Sequence, residues 1–288
     1  MGAVKPASPI TPPDAGALAH VIAAALVEDL VGGDPTTDGL FGPDDQAVMS
    51  LLLKEPGVVC GLGVFAAVFA ALDRDVEVFS FVPEGTRLAA PREIARISGP
   101  TRALLSGERT ALNLLGRLCG IATATTAAVA ELEGTGAVLL DTRKTTPGLR
   151  DLEKYAVRIG GGTNHRSNLG QAILVKDNHL RLAGGIAAAV ARLRASGPDP
   201  LLEVEAETLS EVAEAVDTGA DRVLLDNMSL GLLREAVALV AGRAQTEASG
   251  GVTMDNLRAV GSTGVDFVSM GALTHSARSL DVSLEVIL

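Results

Sequence analysis

The sequence predicts an α/β protein in two parts, an N-terminal α+β domain followed by an α/β barrel. Three observations lead to this prediction. The 288 residues are 47% hydrophobic and 20% charged, which is typical of a soluble globular chain with one or two domains. The first half contains short strand-like segments bounded by glycine and proline. The second half repeats a short apolar strand followed by a helical segment.

The chain begins with a proline-rich stretch and a helical pattern. Residues 1–13 contain four prolines and no periodic hydrophobics, so they are predicted to form a flexible arm. From Leu18 to Leu30 an apolar residue recurs at every fourth position, and this stripe of a helix ends at Gly32 and Gly33. Strands are predicted near residues 46–54, 76–82 and 92–98. Residues 107–131 form the longest helical pattern and are predicted to connect the two domains.

After residue 136, each apolar strand ends in a polar residue. These strand ends are Asp141, Lys176, Glu205, Asp226, Glu247 and Ser269. The last four are 21, 21 and 22 residues apart, which is the length of one βα unit. Six such units close most naturally into a barrel, and the strand ends then meet at one rim, where barrels carry out chemistry. A doubly wound sheet is the alternative, but no GxGxxG motif follows a strand.

Charge and composition exclude several kinds of partner. The formal net charge of −11 and the seven aromatic residues argue against nucleic-acid binding. Cys60 and Cys119 form no CxxC pair, so neither a disulfide framework nor a zinc site is predicted. The uncharged run 56–72 is broken by Pro56 and three glycines, and the N-terminus is a poor signal peptide. We therefore expect no membrane partner and a cytoplasmic location.

A local excess of positive charge predicts an anion-binding site. Between Asp141 and Arg181 there are eight basic and four acidic residues, a net charge of +4 within an acidic chain. Arg143, Lys144 and Lys176 follow apolar strands, where a charge is costly unless it meets an opposite one. Arginine suits carboxylates and lysine suits phosphates, so the mixture indicates a ligand that carries both groups.

Glycine-containing turns support the phosphate assignment. Ser249, Gly250 and Gly251 follow one strand and precede a helix, and Met270, Gly271 and Ala272 follow the next strand. Such turns let backbone N–H groups and a helix dipole face an anion.

Two strand-end carboxylates allow two interpretations. Glu205 and Asp226 either form a structural ion pair with Lys176 or hold Mg²⁺ against ligand phosphates. His165 and His179 are interpreted equally as ligand-contacting or structural residues. No GxSxG motif is present, so covalent nucleophilic catalysis is disfavoured.

Several long segments resemble the family of nicotinate-nucleotide pyrophosphorylases, also called quinolinate phosphoribosyltransferases. The resemblance runs from about residue 14 to the end of the chain. The segments that carry it are EDLVGGDPTTD (28–38), GERTALNLLGRLCGIAT (107–123), DTRKTTPGLRDLEKYAVRIGGGTNHR (141–166), ILVKDNH (173–179), EVE (203–205), LLDNM (224–228), EASGGV (247–252) and SMGALTHS (269–276).

The resemblance implies a two-domain enzyme of NAD biosynthesis. The implied fold is an N-terminal α/β open sandwich and an incomplete α/β barrel, in a homodimer whose sites are completed by the partner's N-terminal domain. The implied reaction converts quinolinate and phosphoribosyl pyrophosphate to nicotinate mononucleotide, pyrophosphate and CO₂. The expected domains are an arm at 1–13, the sandwich at 14–120 and the barrel at 121–274, with 275–288 packing back on the sandwich.

The same resemblance assigns roles to individual residues. Arg109 would reach quinolinate from the neighbouring subunit, and Arg143, Arg166 and His165 would clamp its carboxylates. Lys144 and Lys176 would bridge the carboxylate and the phosphates, with Thr142 also in the substrate site. Glu205 and Asp226 would hold Mg²⁺, and these two carboxylates with Lys144 and Lys176 would form the catalytic set. The two glycine-containing turns would bind the 5′-phosphate.

Three other functions compete with this one. A salvage-type nicotinate phosphoribosyltransferase would bind a monocarboxylate and would not need three arginines around the acid. A related group associated with molybdate transport shares the architecture. A catalytically silent barrel that senses a phosphorylated metabolite is the third.

Overall fold

The computed structural model describes residues 10–197 and 200–287, so residues 1–9 of the predicted arm lie outside the described residues. The chain forms two compact units. Unit 1 contains the chain up to Ala124, residues 146–161 and the chain from Ala277 onwards. Unit 2 contains residues 125–145 and 162–276. Residues 146–161 thus group with the N-terminal part, whereas the sequence analysis places them in the barrel domain.

Unit 1 is built on a four-stranded antiparallel sheet with the strand order β12-β1-β5-β3. The C-terminal strand β12 pairs with β1, so the end of the chain completes the N-terminal sheet. The strands are β1 (Gln46–Leu53), β2 (Gly57–Val58), β3 (Glu77–Ser80), β4 (Arg87–Leu88), β5 (Arg92–Pro100) and β12 (Val282–Val286). The helices are α1 (Ala15–Leu30), α2 (Pro35–Leu40), α3 (Leu62–Leu72) and α5 (Arg150–Ile159).

Helix α3 begins at a glycine and is capped by a distant carboxylate. Gly61 precedes the helix with φ of +102°, a conformation that glycine adopts without strain. The Glu84 carboxylate accepts hydrogen bonds from the Gly61 N–H at 2.8 Å and from the Leu62 N–H at 2.7 Å. Phe65 and Phe69 on the inner face of α3 are fully buried and pack edge to face.

The longest helix, α4 (Thr101–Leu132), continues from unit 1 into unit 2. Within unit 1 its glycines permit close packing: a Cβ at Gly120 would lie 1.9 Å from the Arg278 carbonyl oxygen. The helix is long and apolar enough to span a membrane, but 61% of its most apolar window is buried within the structure. That burial is typical of a core helix.

Unit 2 contains a six-stranded parallel sheet in the order β6-β11-β10-β9-β8-β7. The first strand of the unit pairs with the last, which is how a barrel closes. Thr163 forms an isolated parallel bridge to Leu140 of β6, and among the described residues no ladder connects β6 with β7. The predicted incomplete α/β barrel is therefore confirmed. Its strands are β6 (Val138–Leu140), β7 (Ile173–Val175), β8 (Leu202–Ala206), β9 (Arg222–Asp226), β10 (Gln245–Ser249) and β11 (Phe267–Ser269).

Amphipathic helices alternate with these strands and begin at polar caps. Thr208 and Glu211 form a reciprocal capping box at the start of α8, and the Ser229 hydroxyl accepts from the Leu232 N–H at the start of α9. The helices are α6 (Asp177–Ala183), α7 (Ile186–Ala195), α8 (Leu209–Asp217), α9 (Leu230–Val240), α10 (Met254–Gly261) and α11 (Ala272–His275). The connections direct every strand the same way, so all carboxyl ends lie at one rim.

Candidate active site

A cavity of about 620 Å³ lies at the carboxyl ends of the barrel strands. We call it the cationic pocket. Eleven of the predicted site residues line it: Thr142, Arg143, Lys144, His165, Arg166, Lys176, Glu205, Asp226, Ser249, Gly250 and Gly251. Of the six predicted strand ends, Asp141 is not in the lining; it is fully buried and accepts hydrogen bonds from the Asn164 side chain and the His165 N–H.

Two arginines with like charge stand close together in the pocket. Burial, together with the neighbouring Arg143, lowers the pKa of the Arg166 guanidinium. Arg166 is oriented by a hydrogen bond from its Nη1 to the Ala172 carbonyl at 2.9 Å. Two adjacent guanidinium groups are stabilised by a ligand with more than one negative charge, such as a dicarboxylate.

The two lysines reach the pocket from different strands. Lys144 follows β6, and its carbonyl accepts from the Thr274 hydroxyl at 2.8 Å. Lys176 follows β7, and half of its side chain is exposed. The Lys176 ammonium lies 3.5 Å from the Glu205 carboxylate. The predicted ion pair between these two residues is thus present, and it lies in the lining of the pocket.

Glu205 and Asp226 are the two carboxylates that fit a hard cation. Both line the pocket, and carboxylates are the ligands that Mg²⁺ takes beside phosphate oxygens. Glu205 is held by the Asp177 N–H at 3.1 Å, and Asp226 accepts from the Asn227 side chain at 2.5 Å. Asp226 keeps Oδ1 for a ligand, whereas the second oxygen of Glu205, Oε2, lies 3.5 Å from the Lys176 ammonium. The donor set suits Mg²⁺ if the Lys176 ammonium turns from Glu205 towards a ligand phosphate.

A second acidic cluster adjoins the pocket, whose lining includes two of its members, His165 and Glu247. The side chains of His165, Glu203 and Glu247 bring ligand-type atoms within 4.8 Å of one another. The Nδ1 atom of His165 accepts from the Arg166 N–H at 2.7 Å, so the ring proton is on Nε2, which faces Glu203 at 3.1 Å. The Arg222 guanidinium lies 3.0 Å from Glu247. A protonated Nε2 and an adjacent arginine make this cluster a poor metal site.

One of the two predicted glycine turns lines the pocket. Gly250 and Gly251 have φ values of +83° and +61°, so both occupy the left-handed region that favours glycine. Gly271 belongs to the other turn, which lies outside the pocket lining together with Met270 and Ala272. A Cβ at Gly271 would lie 3.1 Å from the Lys144 side chain, so this turn packs against a lysine of the pocket.

Other residues depart from their predicted positions or were not predicted. Arg109 lies in unit 1 and lines a separate cavity there with Asn113 and Arg117. His179 accepts from the Lys176 N–H at 3.0 Å, a structural contact at the start of α6. Pocket residues that were not predicted are Leu174, Asp177, Glu207, Leu224 and Asn227. Glu247 and Ser269 were predicted only as strand ends at the rim, without a role in the site. The sequence offers one clue to these pocket residues, which is that each lies on a predicted strand or within two residues of its end.

The fold and the pocket together define a class of protein. An incomplete α/β barrel carries arginines, lysines, carboxylates and a glycine turn at one rim. These groups suit an enzyme that acts on an anionic, phosphorylated substrate.

Comparison with known proteins identifies the family. Residues 34–119 match the N-terminal domain model of quinolinate phosphoribosyl transferase, and residues 121–285 match its C-terminal domain model. A probable nicotinate-nucleotide pyrophosphorylase (carboxylating) of Bacillus subtilis is 43% identical over 91% of both chains. A quinolinate phosphoribosyltransferase (decarboxylating) of Nicotiana tabacum is 36% identical over 93% of this chain and 82% of its own. The crystal structure of NadC from Streptococcus pyogenes is 42% identical, with a TM-score of 0.92 over 96% of this chain and all of that one.

The chain belongs to the quinolinate phosphoribosyltransferase family. The resemblance noted in the sequence is confirmed, as is the mixed α/β fold that it implied.

Proposed function

We propose that the cationic pocket catalyses the decarboxylating phosphoribosyl transfer of this family. Quinolinate and phosphoribosyl pyrophosphate are converted to nicotinate mononucleotide, pyrophosphate and CO₂, a step of NAD biosynthesis. The names of the similar enzymes agree with this reaction. The observation that carries the proposal is the gathering of Arg143, Arg166, Lys144 and Lys176 in one cavity of a chain whose net charge is −11.

The arginines account for the choice of a dicarboxylate. Arg143 and Arg166 offer planar donors to the two carboxylates of quinolinate. Both ring nitrogens of His165 face groups of the protein, Nδ1 the Arg166 N–H and Nε2 the Glu203 carboxylate. We therefore propose that His165 positions Arg166, whereas the resemblance implied direct contact with the substrate.

The lysines and the glycine turn account for the phosphorylated partner. Lys144 and Lys176 neutralise negative charge that develops on pyrophosphate as its bond to ribose C1 breaks. The N–H groups of the Ser249–Gly251 turn bind the 5′-phosphate. Glu205 and Asp226 would hold Mg²⁺, which supplies further neutralisation of the leaving pyrophosphate.

The substrate itself supplies the chemistry of the second stage. The pyridine nitrogen forms a bond to ribose C1 and becomes positively charged. The bond from the ring to the 2-carboxylate then breaks, its electron pair remains on the adjacent ring carbon, and a proton replaces the released CO₂. Because the pyridinium is the electron sink, no organic cofactor is needed, and the arginines need only orient the acid.

The deciding experiment measures whether the 2-carboxylate of quinolinate is released as CO₂. Purified chain is mixed with quinolinate labelled at the 2-carboxylate, phosphoribosyl pyrophosphate and Mg²⁺, and labelled gas is measured. We expect CO₂ release that matches the nicotinate mononucleotide formed. A parallel reaction contains nicotinate in place of quinolinate. Turnover of nicotinate together with no gas from quinolinate would favour the salvage enzyme, and ligand binding without turnover would favour a sensor. Either result overturns the proposal.

We also propose a cytoplasmic homodimer in which Arg109 serves the partner's pocket. Arg109 lines a cavity of unit 1 and is not in the lining of the cationic pocket. The test is to co-express Arg109→Ala with Asp226→Ala. A shared site regains activity in the mixed dimer, since one of its two pockets has both native residues. Mixed dimers that stay as inactive as the parents contradict the shared site.

A further inference from the structure

Asn227 follows β9 directly and has an uncommon backbone conformation. Its φ is +54°, and among residues 10–197 and 200–287 only Asn227 and Ala241 combine positive φ with a side chain. Asparagine tolerates this left-handed region better than most residues. The conformation fixes the direction in which the side-chain amide leaves the backbone.

The amide of Asn227 contacts the carboxylate that precedes it. Its Nδ2 donates to the Asp226 Oδ2 at 2.5 Å. Because an ionised carboxylate can only accept, the nitrogen must face Asp226, and this fixes the assignment of the two amide atoms. The backbone N–H of Asn227 donates to the Ser249 carbonyl at 2.9 Å, so the same residue is also tied to β10.

The other amide atom fills the space beside the glycine turn. A Cβ built on Gly250 would lie 2.3 Å from the Oδ1 atom of Asn227 and 2.6 Å from its Cγ. Atoms cannot approach this closely, so the turn passes against the amide with no room for a side chain. Gly250 is therefore favoured as glycine by its φ, and a side chain at this position would have to displace the Asn227 amide.

Asn227 also stands between two cavities. It lines the cationic pocket, and it lines a second cavity of about 390 Å³ with Leu233 and Val260. Ser249, Gly250 and Gly251 line both cavities as well. Ser249 is paired with Asp226 in the sheet, and the Asn256 side chain donates to the Gly251 carbonyl at 2.9 Å. Asn227 is the residue that contacts both Asp226 and the Gly250 side of the turn.

We propose that Asn227 is a positioning residue that fixes the Asp226 carboxylate and the Ser249–Gly251 turn relative to each other. The inference rests on the proposed function, in which one molecule of phosphoribosyl pyrophosphate contacts both groups. Quinolinate is bound by Arg143 and Arg166 and does not depend on Asn227. Loss of the amide should therefore weaken the binding of phosphoribosyl pyrophosphate and leave the binding of quinolinate unchanged.

The test uses Asn227→Gly, which keeps the left-handed backbone and removes the amide. Dissociation constants are measured by calorimetry for phosphoribosyl pyrophosphate, with and without Mg²⁺, and separately for quinolinate. We expect binding of phosphoribosyl pyrophosphate to weaken about tenfold, the effect of losing one charge-assisted hydrogen bond, while quinolinate changes less than about twofold. Asn227→Asp, nearly the same shape but with a repelling carboxylate, should lose at least as much.

A double-mutant cycle separates positioning from a simple packing defect. If Asn227 acts through Asp226, Asn227→Gly costs less in an Asp226→Ala background than in the native chain. Equal costs in both backgrounds would contradict the inference. Ala241→Gly changes the other left-handed residue, which caps α9 outside the pocket lining, and should leave both dissociation constants unchanged.

The outcomes distinguish this inference from the proposed function. If the native chain binds neither substrate, the proposed function is wrong and the inference falls with it. If the native chain binds both and Asn227→Gly binds phosphoribosyl pyrophosphate equally well, only the positioning role is wrong. Equal weakening of both substrates also contradicts the role, because it indicates general damage to the pocket.

Discussion

Glu247 lines the cationic pocket, and its ionisation is set by burial and by its charged neighbours. Burial and the charge of Glu203 raise the pKa of Glu247 from 4.5 to about 7, although His165, Ser269 and Arg222 oppose the shift. Between pH 4.5 and about pH 7, the folded chain therefore binds more protons at Glu247 than the unfolded chain does. The site therefore contributes stability below about pH 4.5 that is lost as the pH rises towards 7.

We expect Glu247→Gln to remove this pH dependence. Glutamine has the shape of the protonated acid, and its oxygen can still accept from Arg222. At low pH, the free energy of unfolding in urea should differ by no more than about 1 kcal/mol between the variant and the native chain. As the pH rises through 7, the variant should become the more stable of the two relative to this starting difference.

The control for this prediction is Glu235→Gln on the exposed face of α9, which changes the same charge without burial. Its stability relative to the native chain should not vary between pH 5 and 8 by more than ~0.5 kcal/mol. A Glu247→Gln curve parallel to the native curve would contradict the assigned pKa shift.

Charged residues that close an apolar run could be predicted from the sequence, although Glu205 and Glu247 lie one and two residues inside β8 and β10 and not at their ends. Lys176 and Asp226 stand out because a charge follows an apolar strand. Glu203 lies within β8, two residues before Glu205 and on the same side of the strand, and nothing local distinguishes it. Its partner His165 is 38 positions earlier in the chain, so the contact depends on how the sheet is assembled.

At the scale of elements, the sequence predicted the repeat of strands and helices in unit 2. It did not predict which elements pair or pack together. The 21-residue spacing predicts β8 to β11 because each unit carries its own apolar pattern. The bridge at Thr163 is a single residue, too short for a periodic signal. The sequence also did not predict that α5 belongs to unit 1. An amphipathic pattern shows that a helix has an apolar face, but not which apolar surface that face covers.

The tight packing of α4 gives a test of element positions in unit 1. Gly120→Ala would place a Cβ 1.9 Å from the Arg278 carbonyl oxygen, so the helix must move away from that segment. We expect a loss of about 1–3 kcal/mol in the free energy of unfolding, measured from the urea midpoint.

Gly63→Ala in α3 is the matched control, since a Cβ at this position would have nothing within 4 Å of it. Alanine favours a helix, so this variant should gain about 0.4–1 kcal/mol. If both variants change stability in the same direction, close packing at Gly120 is not the cause.

The start of α3 depends on Glu84, and its removal is the second test of an element. The carboxylate accepts from the N–H groups of Gly61 and Leu62, and burial raises its pKa. Glu84→Ala leaves these donors without their acceptor, so we expect a loss of about 1–3 kcal/mol in urea unfolding. Glu77→Ala on exposed β3 is the control, and an equal loss there would contradict the capping role.

At the scale of the whole molecule, the sign of the charge differs between the pocket and the rest of the chain. Residues 141–181 carry +4 and the chain carries −11, so the remaining residues carry −15. Anionic substrates are therefore repelled by most of the protein and attracted at one cavity. The net charge was readable from composition, but the cavity required the fold, because its cations come from strands that are distant in sequence.

This opposition predicts how the affinity for quinolinate depends on salt. At ~0.01 M salt the Debye length is about 30 Å, so repulsion by distant carboxylates offsets attraction in the pocket. At ~0.1 M it is about 10 Å, which screens the distant charges more than the nearby cations. Near 1 M it is about 3 Å, and the attraction is screened as well. We expect calorimetric dissociation constants within about twofold between the two lower concentrations and at least about threefold weaker binding near 1 M.

Two lysine variants test which charge causes this dependence. Lys176→Gln should reduce the loss of quinolinate affinity near 1 M salt, whereas Lys54→Gln, whose partner is Asp281 in unit 1, should not. A steep, uniform decrease from the lowest salt upwards would mean that the acidic remainder of the chain exerts no effect on the pocket.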